Sequence, residues 1–493
     1  MSSFKVLFAN RVVLPDAAGP KGALRVVPAA IGVDGARIVA VEEVDEDDFL
    51  EMNFTHPAIL AAKSDGIELL DFSDHVLCPA FVNAHTHLAM CAFRGIGGLA
   101  AQKGNVVEDL FYKLEQNLSA DDVKAFTRMG AFESVLCGTG VVWDHYYYGQ
   151  AVADALVEVG LCGVVAPTLQ DEGGPGAVWL DQQVHDTEAL LASTYADNGV
   201  VAAVGAHATD TVSPSLWRRV SQLASQHNLP IHAHVAQSIE EVERSHERHG
   251  KSPVAYLHDV GALDGGSGFL LVHGLFISDD DKKLLHPSRH TLGYCPHSQV
   301  QFGFPTGAHP FQQDGIPVVV GTDAGACNDT MNVQQELRLV AGGPSFGVTA
   351  SASMATFAKS GALDDAKQVW AERNADFDRR EQVRAPEQLL RLVWDAPGQL
   401  HPAQSSGVLA EGALANILVV DPDHPGLWPA TDVVHALCYG DVASALYGVM
   451  VGGKFIGERG DFHRSIRDSE AYMAAWAEAQ HRLRALEQKI GLG

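Results

Sequence analysis

No Cys-x-x-Cys pair occurs in this 493-residue chain, and its seven cysteines (78, 91, 137, 162, 295, 327 and 438) are scattered and odd in number. That usage argues against a disulfide scaffold and for a reducing compartment. Positive charge is scarce: 34 Lys plus Arg face 61 Asp plus Glu, a formal net charge of −27. No Lys/Arg cluster offsets this field, so neither nucleic acid nor an anionic membrane is expected as a partner. The acidic excess is partly clustered, at 42–48 and 279–281, and reads as a solvated surface. Long apolar runs are missing too. The greasiest stretch, 269–277, is far too short to span a bilayer and carries His273 in its middle. The first residues, MSSFKVLFANRVVLPD, show no signal-peptide core. A cytoplasmic protein is the expectation.

What is present is an ordinary globular composition, 46% hydrophobic and 19% charged. The length exceeds the usual single domain, so one large domain plus a smaller one is the natural division. Residues 4–13 and 29–42 have β texture, with a hairpin signal at Asp34-Gly35. From Leu77 onward apolar strands alternate with amphipathic helices up to Asp323, about eight strands in all, which favours a (β/α)8 barrel of parallel strands. β texture returns at 413–421 and 443–456, and an amphipathic helix closes the chain at 465–490. The expected domains are a β-sandwich from 1–76 and 405–464, a barrel over 77–404, and a C-terminal helix over 465–493. Residues 341–385 are expected to make an excursion over the barrel mouth.

Chemistry gathers where the expected strands end. In Phe81-Val-Asn-Ala-His85-Thr-His87 the two histidines are two apart, which on a strand sends both imidazoles to one face. Leu229-Pro-Ile-His232-Ala-His234-Val repeats the arrangement. Two further apolar strands end in His273 and in Asp323. A histidine or carboxylate closing an apolar strand must be paired or must face a cavity. Neutral imidazoles with one carboxylate suit Zn2+, with Fe2+ the alternative, and an open position admits a water whose pKa falls toward neutrality.

On these motifs the chain resembles the amidohydrolase superfamily, in the branch that holds cytosine and guanine deaminases and triazine hydrolases. The similarity runs from Pro79-Ala-Phe-Val-Asn-Ala-His-Thr-His87 to Asp323 and resumes at 407–421 and 449–460. It implies a distorted (β/α)8 TIM barrel and a homo-oligomer. It implies one divalent metal held by His85, His87, His234 and Asp323, with His273 beside the metal's water. It also places His207 and Arg94 at the substrate. Two-metal members bridge their ions with a carboxylated lysine on a middle strand, and this chain has no lysine between Lys124 and Lys251. One metal is therefore expected.

The chain departs from the family pattern at the proton shuttle. The branch usually shows His-x-x-Glu on the fifth strand; here the segment reads His234-Val-Ala-Gln237. Glutamine can donate and accept hydrogen bonds but cannot act as general acid or base. Three accounts stay open. Another group carries the proton (Asp323, His273, or Glu240, about one helical turn after Gln237); the substrate needs less help, as an amide, urea or carbamate would; or catalysis is impaired. Smaller departures are Ala80, Gln299 and Asp210. Trp143, Tyr146, Tyr147 and Tyr148 either wall a pocket for a planar substrate or pack under a loop. Gly343-Pro-Ser345-Phe-Gly347 fits a nucleophile-elbow pattern, but a helical run precedes it where a strand is required.

The expectation is a metal-dependent amidohydrolase that cleaves a C–N bond of a small cyclic or aromatic substrate through a hydroxide generated on the metal, most simply as a deaminase. Asp323, His273 and Gln237 would be catalytic; His207, Gln237, Arg94 and Tyr146 would meet the substrate. A urea, carbamate or amide hydrolase is the alternative enzyme, and a non-catalytic metal-containing ligand binder the alternative of another class.

Overall fold

A computed structural model of the chain describes residues 4–491 apart from 20–21, 64–65, 97–103, 193, 305–308 and 343–350. Its central region is built from parallel strands that occupy two sheets. One sheet runs in the order Val200–Ala202, Cys162–Val165, Thr139–Asp144, Phe81–His87, Asp323–Ala324. The other runs Val318–Val320, His290–Tyr294, Gly268–His273, Pro230–Val235, Val204–Ala208, Thr168–Leu169. Every pairing within both sheets is parallel. Three segments pass from one sheet to the other within a few residues: 162–169, 200–208 and 318–324. The strands carry near-continuous apolar runs because both faces are covered; every residue of Pro230–Val235 and of Val318–Val320 is buried. Parallel pairing also sends all the C-terminal strand ends to one side, which brings the histidines and Asp323 into one neighbourhood.

The helices between strands start where their caps dictate. Ser119 caps Ala120–Leu136 and forms a reciprocal capping box with Asp122, and Phe126, Ala131 and Val135 of that helix are buried in the main core. Ser213 caps Pro214–His227, and Ser238, directly after Gln237, caps Ile239–His249.

The terminal segments do combine. Lys454–Ile456, Leu446–Val451, Ile417–Val420, Val76–Pro79, Phe4–Pro15, Leu24–Asp34 and Arg37–Glu42 lie in that order in one eight-stranded sheet, with Ile67–Asp71 also paired to Phe4–Pro15. The expected hairpin is present: Asp34 pairs with Arg37 across a turn in which Gly35 takes φ +54°. Leu7, Ile31, Val33, Ile417 and Met450 bury one core of this sheet. Hydrogen bonding defines it as a single mixed sheet. The strand Val76–Pro79 passes through Ala80 alone into Phe81–His87, so the terminal sheet and the first parallel strand share one stretch of backbone. Alanine is tolerated at 80 because a glycine faces it: a Cβ on Gly140 would lie 2.7 Å from that of Ala80.

Two expectations are corrected. Among the described residues of 341–385, none lines the site. The helices of this segment, Ala352–Ser360 and Leu363–Arg384, leave Leu363 and Trp370 exposed. The closing helix is two helices, Phe462–Arg467 and Glu470–Ile490, the second capped by Ser469. It packs on Ala120–Leu136 through Tyr472 against Phe132 and through Arg482, which donates to Asp122 at 3.1 Å. The Gly343–Gly347 motif lies outside the described residues. No helix among the described residues is long and apolar enough to cross a membrane.

Candidate active site

Three strand ends bring the expected ligand set together, and a fourth adds His273. Ligand atoms of His85, His87 and His234 lie within 4.8 Å of one another, and so do those of His85, His273 and Asp323. Asp323 Oδ1 stands 3.5 Å from His87 Nε2 and 3.7 Å from His85 Nε2. The backbone pays for this convergence: Asp323 and His273 hold φ of +61° and +74°, a region that side-chain-bearing residues rarely adopt and that clusters at functional sites.

The outer nitrogens of the rings are tied down. His234 Nδ1 donates to the His207 carbonyl at 2.9 Å, and His87 Nδ1 donates to the His145 carbonyl. With Nδ1 as donor, each Nε2 presents a lone pair inward. Those two Nε2 atoms are 3.3 Å apart, and His85 Nε2 is buried with no hydrogen-bond partner among the described residues. Converging, unpartnered lone pairs beside a carboxylate are what a divalent cation satisfies, so the residues fit a metal. Asp323 is itself oriented: Ser298 Oγ donates to its Oδ2 at 2.6 Å and the Ala324 amide to its Oδ1 at 2.8 Å. His273 Nε2 lies 3.9 Å from Asp323 Oδ2.

Electrostatics keep the ligands in their binding forms. Burial pushes His85 down to about 3 against the pull of Asp323, and pushes His87 and His234 down as well. Burial alone would raise Asp323, but the facing imidazoles of His85, His273 and His87 overcome it and hold the carboxylate well below its usual range. Neutral imidazoles and an ionised carboxylate are the states a metal requires.

Beside this centre lies a cavity that opens toward solvent. Its lining includes His87, His207, His234, His273 and Asp323, with Tyr146, Tyr147, Phe111 and Phe302 supplying flat apolar surface. His207 Nδ1 shares a 2.7 Å hydrogen bond with the Thr211 hydroxyl, and burial drives the ring down to about 3. Gln237 lines both this cavity and a wider one beside it. Glu240, a sequence candidate for the missing proton carrier, lines only the outer one.

Arg94 is not brought to the site. It pairs with Glu133 at 2.7 Å and lines neither cavity. The aromatic run divides: Tyr146 and Tyr147 face the cavity, Tyr148 packs against Trp179, and Trp143 is buried against His232 and His401.

Several residues escaped the sequence reading. Glu115 lines the inner cavity, only 5% exposed, and burial raises its carboxyl to about 8. Its sequence context, a glutamate in a helical run, carries no signal of this. His232 Nε2 and His85 Nδ1 share a 2.8 Å hydrogen bond; the second His-x-His motif was the available clue. Glu241 is buried and accepts from the Ala236 amide at 2.9 Å, the Gln237 amide at 2.7 Å and the Thr209 hydroxyl. It thereby clamps the turn that carries Gln237, in which Ala236 takes φ +54°.

A model of the amidohydrolase family matches residues 76–363. The chain belongs to the amidohydrolase family. It is a hydrolase acting on carbon–nitrogen bonds other than peptide bonds. Among relatives of this amidohydrolase is a 5-methylthioadenosine/S-adenosylhomocysteine deaminase of Thermoanaerobacter pseudethanolicus, 29% identical over 79% of this chain and 83% of the relative. Solved structures share its fold. One is an adenosine deaminase of Xanthomonas campestris with bound zinc (TM-score 0.73, 19% identity, 98% of each chain). Another is an atrazine chlorohydrolase of Arthrobacter aurescens complexed with zinc (TM-score 0.73, 19% identity, 98% of this chain and 99% of the other).

Proposed function

We propose that this amidohydrolase is a zinc-dependent deaminase with one metal, acting on the amino group of a 6-aminopurine nucleoside of the 5-methylthioadenosine or S-adenosylhomocysteine kind. The observation that carries the proposal is the convergence of His85, His87, His234 and Asp323 beside a cavity with aromatic walls. The names of the relatives favour that substrate class. A single metal is supported because both clusters of candidate ligands among the described residues share His85. In the same reading the two parallel sheets act as one distorted (β/α)8 barrel over 77–404, and 1–76 with 405–464 form a β-sandwich domain in which the single terminal sheet folds over the core that Leu7, Ile31, Ile417 and Met450 share. The free cysteines suit a reducing, cytoplasmic setting.

A cation at this centre would polarise water and supply a nucleophile at neutral pH. His87 and His234 would hold it through Nε2, with their rings fixed by the carbonyls behind them. Asp323, whose Oδ1 faces His85 and His87, would take the proton from the attacking water and pass it to the ring nitrogen of the substrate. His273, 3.9 Å from Asp323, hydrogen-bonds the developing hydroxyl. Tyr146, Tyr147 and Phe302 stack on the planar base, and His207 hydrogen-bonds its edge.

Gln237 favours a second reading, an amide, urea or carbamate hydrolase that releases an amine, because a glutamine at this position can orient a leaving group but not protonate it. Metal analysis of protein purified without chelators, followed by a panel of aminated heterocycles, ureas and amides scored for ammonia against amine, separates the two. About one zinc per chain with ammonia released from a purine nucleoside is expected. Amine release alone selects the second reading, and bound metal with no turnover defeats both.

A further inference from the structure

The deaminase reading leaves one chemical demand without an owner: the leaving nitrogen needs a proton, and Gln237 has none to give. Among the described residues that line the inner cavity, the carboxyls are Asp323 and Glu115. Asp323 is taken up by the metal centre. The geometry points to Glu115 as the acid that protonates the departing amino group, a role transferred from the fifth-strand turn to the helix Tyr112–Glu115.

Glu115 enters the cavity from a segment that no histidine motif includes, and it sits beside Tyr146, whose ring lies 6.0 Å from that of His87. The Tyr146 hydroxyl is buried without a well-formed hydrogen bond among the described residues and interacts with the Glu115 carboxyl. The other titratable groups acting with it are Tyr112 and Tyr147, both uncharged at neutral pH, and the histidines across the cavity are held neutral by burial. No cation among the groups facing Glu115 stabilises its ionised form. Burial outweighs the tyrosine hydroxyl, which favours the ionised form, and leaves a carboxyl that holds its proton near neutral pH, as a general acid must.

The step balances. Water adds its oxygen to the amino-bearing carbon and gives one proton, through Asp323, to the ring nitrogen. The C–N bond then breaks with its electron pair on nitrogen, which takes the Glu115 proton and leaves as ammonia. The new hydroxyl becomes a carbonyl, and its proton returns Glu115 to the acid form.

This inference rests on the deaminase reading, and its test keeps the two apart. 5′-Methylthioadenosine is compared with the 6-chloropurine nucleoside of the same sugar, since chloride departs as an anion and needs no proton. In Glu115→Gln, kcat for ammonia release is expected to fall about 100-fold or more while chloride release stays within a few-fold. The parent's kcat is expected to fall as pH rises past about 8, and that fall should be absent from the variant. Adding Gln237→Glu to that variant should restore ammonia release. Independently of activity, the infrared difference spectrum of metal-free protein with isotope-labelled glutamate should show a protonated carboxyl at pH 7 that the variant lacks. Should Glu115→Gln not fold, Glu115→Asp, which keeps the acid but withdraws it by a methylene, carries the same comparison. Unchanged ammonia release overturns the inference. An equal loss on both leaving groups, or a rise in KM with kcat intact, overturns it too and makes Glu115 a substrate-holding group. A parent enzyme inert toward both nucleosides overturns the deaminase reading itself and takes the inference with it.

Discussion

In the proposed reading Asp323 has two duties, as metal ligand and as proton acceptor, and its neighbours suit it to both. Ser298 and the Ala324 amide fix its oxygens while three imidazoles keep it ionised. Asp323→Asn preserves the shape and removes the charge, so bound zinc per chain should drop and kcat should fall by at least about 100-fold; metal analysis and an ammonia assay report the two separately. Gln237 tests the opposite change. Gln237→Glu places a carboxyl at the mouth of the inner cavity, and ammonia release is expected to rise or hold. A clear fall, with amine release from ureas or amides falling alongside, would favour the amide-type reading. At this level sequence and structure agree unevenly. His85, His87, His234 and Asp323 were legible because a polar group closing an apolar strand has few places to go. Arg94 misled, because the chain turns at Gly95 (φ +74°) and the guanidinium finds Glu133 on the neighbouring helix instead. Glu115 was silent: burial, not residue type, makes it unusual, and a lone glutamate in FYKLEQNL reads as solvated.

The strand ends depend on supports that lie outside the motifs. Glu241 gathers the Thr209 hydroxyl and the amides of Ala236 and Gln237, joining two neighbouring strand ends across the turn. Glu241→Ala strands those buried donors, a cost of about 2–4 kcal/mol, and should loosen Gln237; urea unfolding measures the first, and a change in KM without loss of bound zinc the second. Gly321 is a steric support. A Cβ there would lie 2.6 Å from both the backbone nitrogen and the backbone oxygen of His85. Gly321→Ala should therefore destabilise the fold by roughly 1–3 kcal/mol and release zinc more readily to a chelator. Alternating apolar strands and helices made the parallel architecture readable from Leu77 to Asp323, because doubly covered strands must be apolar throughout. The placement of 341–385 was not readable: Leu363–Arg384 carries charged residues throughout its length, and periodicity cannot say which way such a segment points.

The whole molecule concentrates buried histidines in one place, and that couples its stability to acid. Burial lowers His85, His87, His145, His207, His232, His234 and His273. Groups depressed in the folded state contribute fully above their unfolded value near 6.5 and withdraw that contribution as pH falls below it. Glu115, Asp144, Glu241 and Glu336, raised to about 8, 7, 7 and 7 by burial, act in the opposite sense and lose their contribution as pH climbs from about 4.3 toward those values. The named histidines outnumber the named carboxyls, so metal-free protein should melt at a lower temperature at pH 5 than at pH 7. Zinc at pH 7 should raise the melting temperature, and scanning calorimetry with and without chelator checks both.

Because Val76–Pro79 becomes Phe81–His87 across one alanine, the floor of one unit and the ligand strand of the other are a single beam. Ile417–Val420 lies against the first half of it, and the Ala80 amide donates to the Asn416 carbonyl at 3.0 Å. Chimeras with other family members should then succeed only when 76–87 and 413–420 come from the same parent. A crossover between those blocks would tilt His85 and His87 even if every ligand were retained.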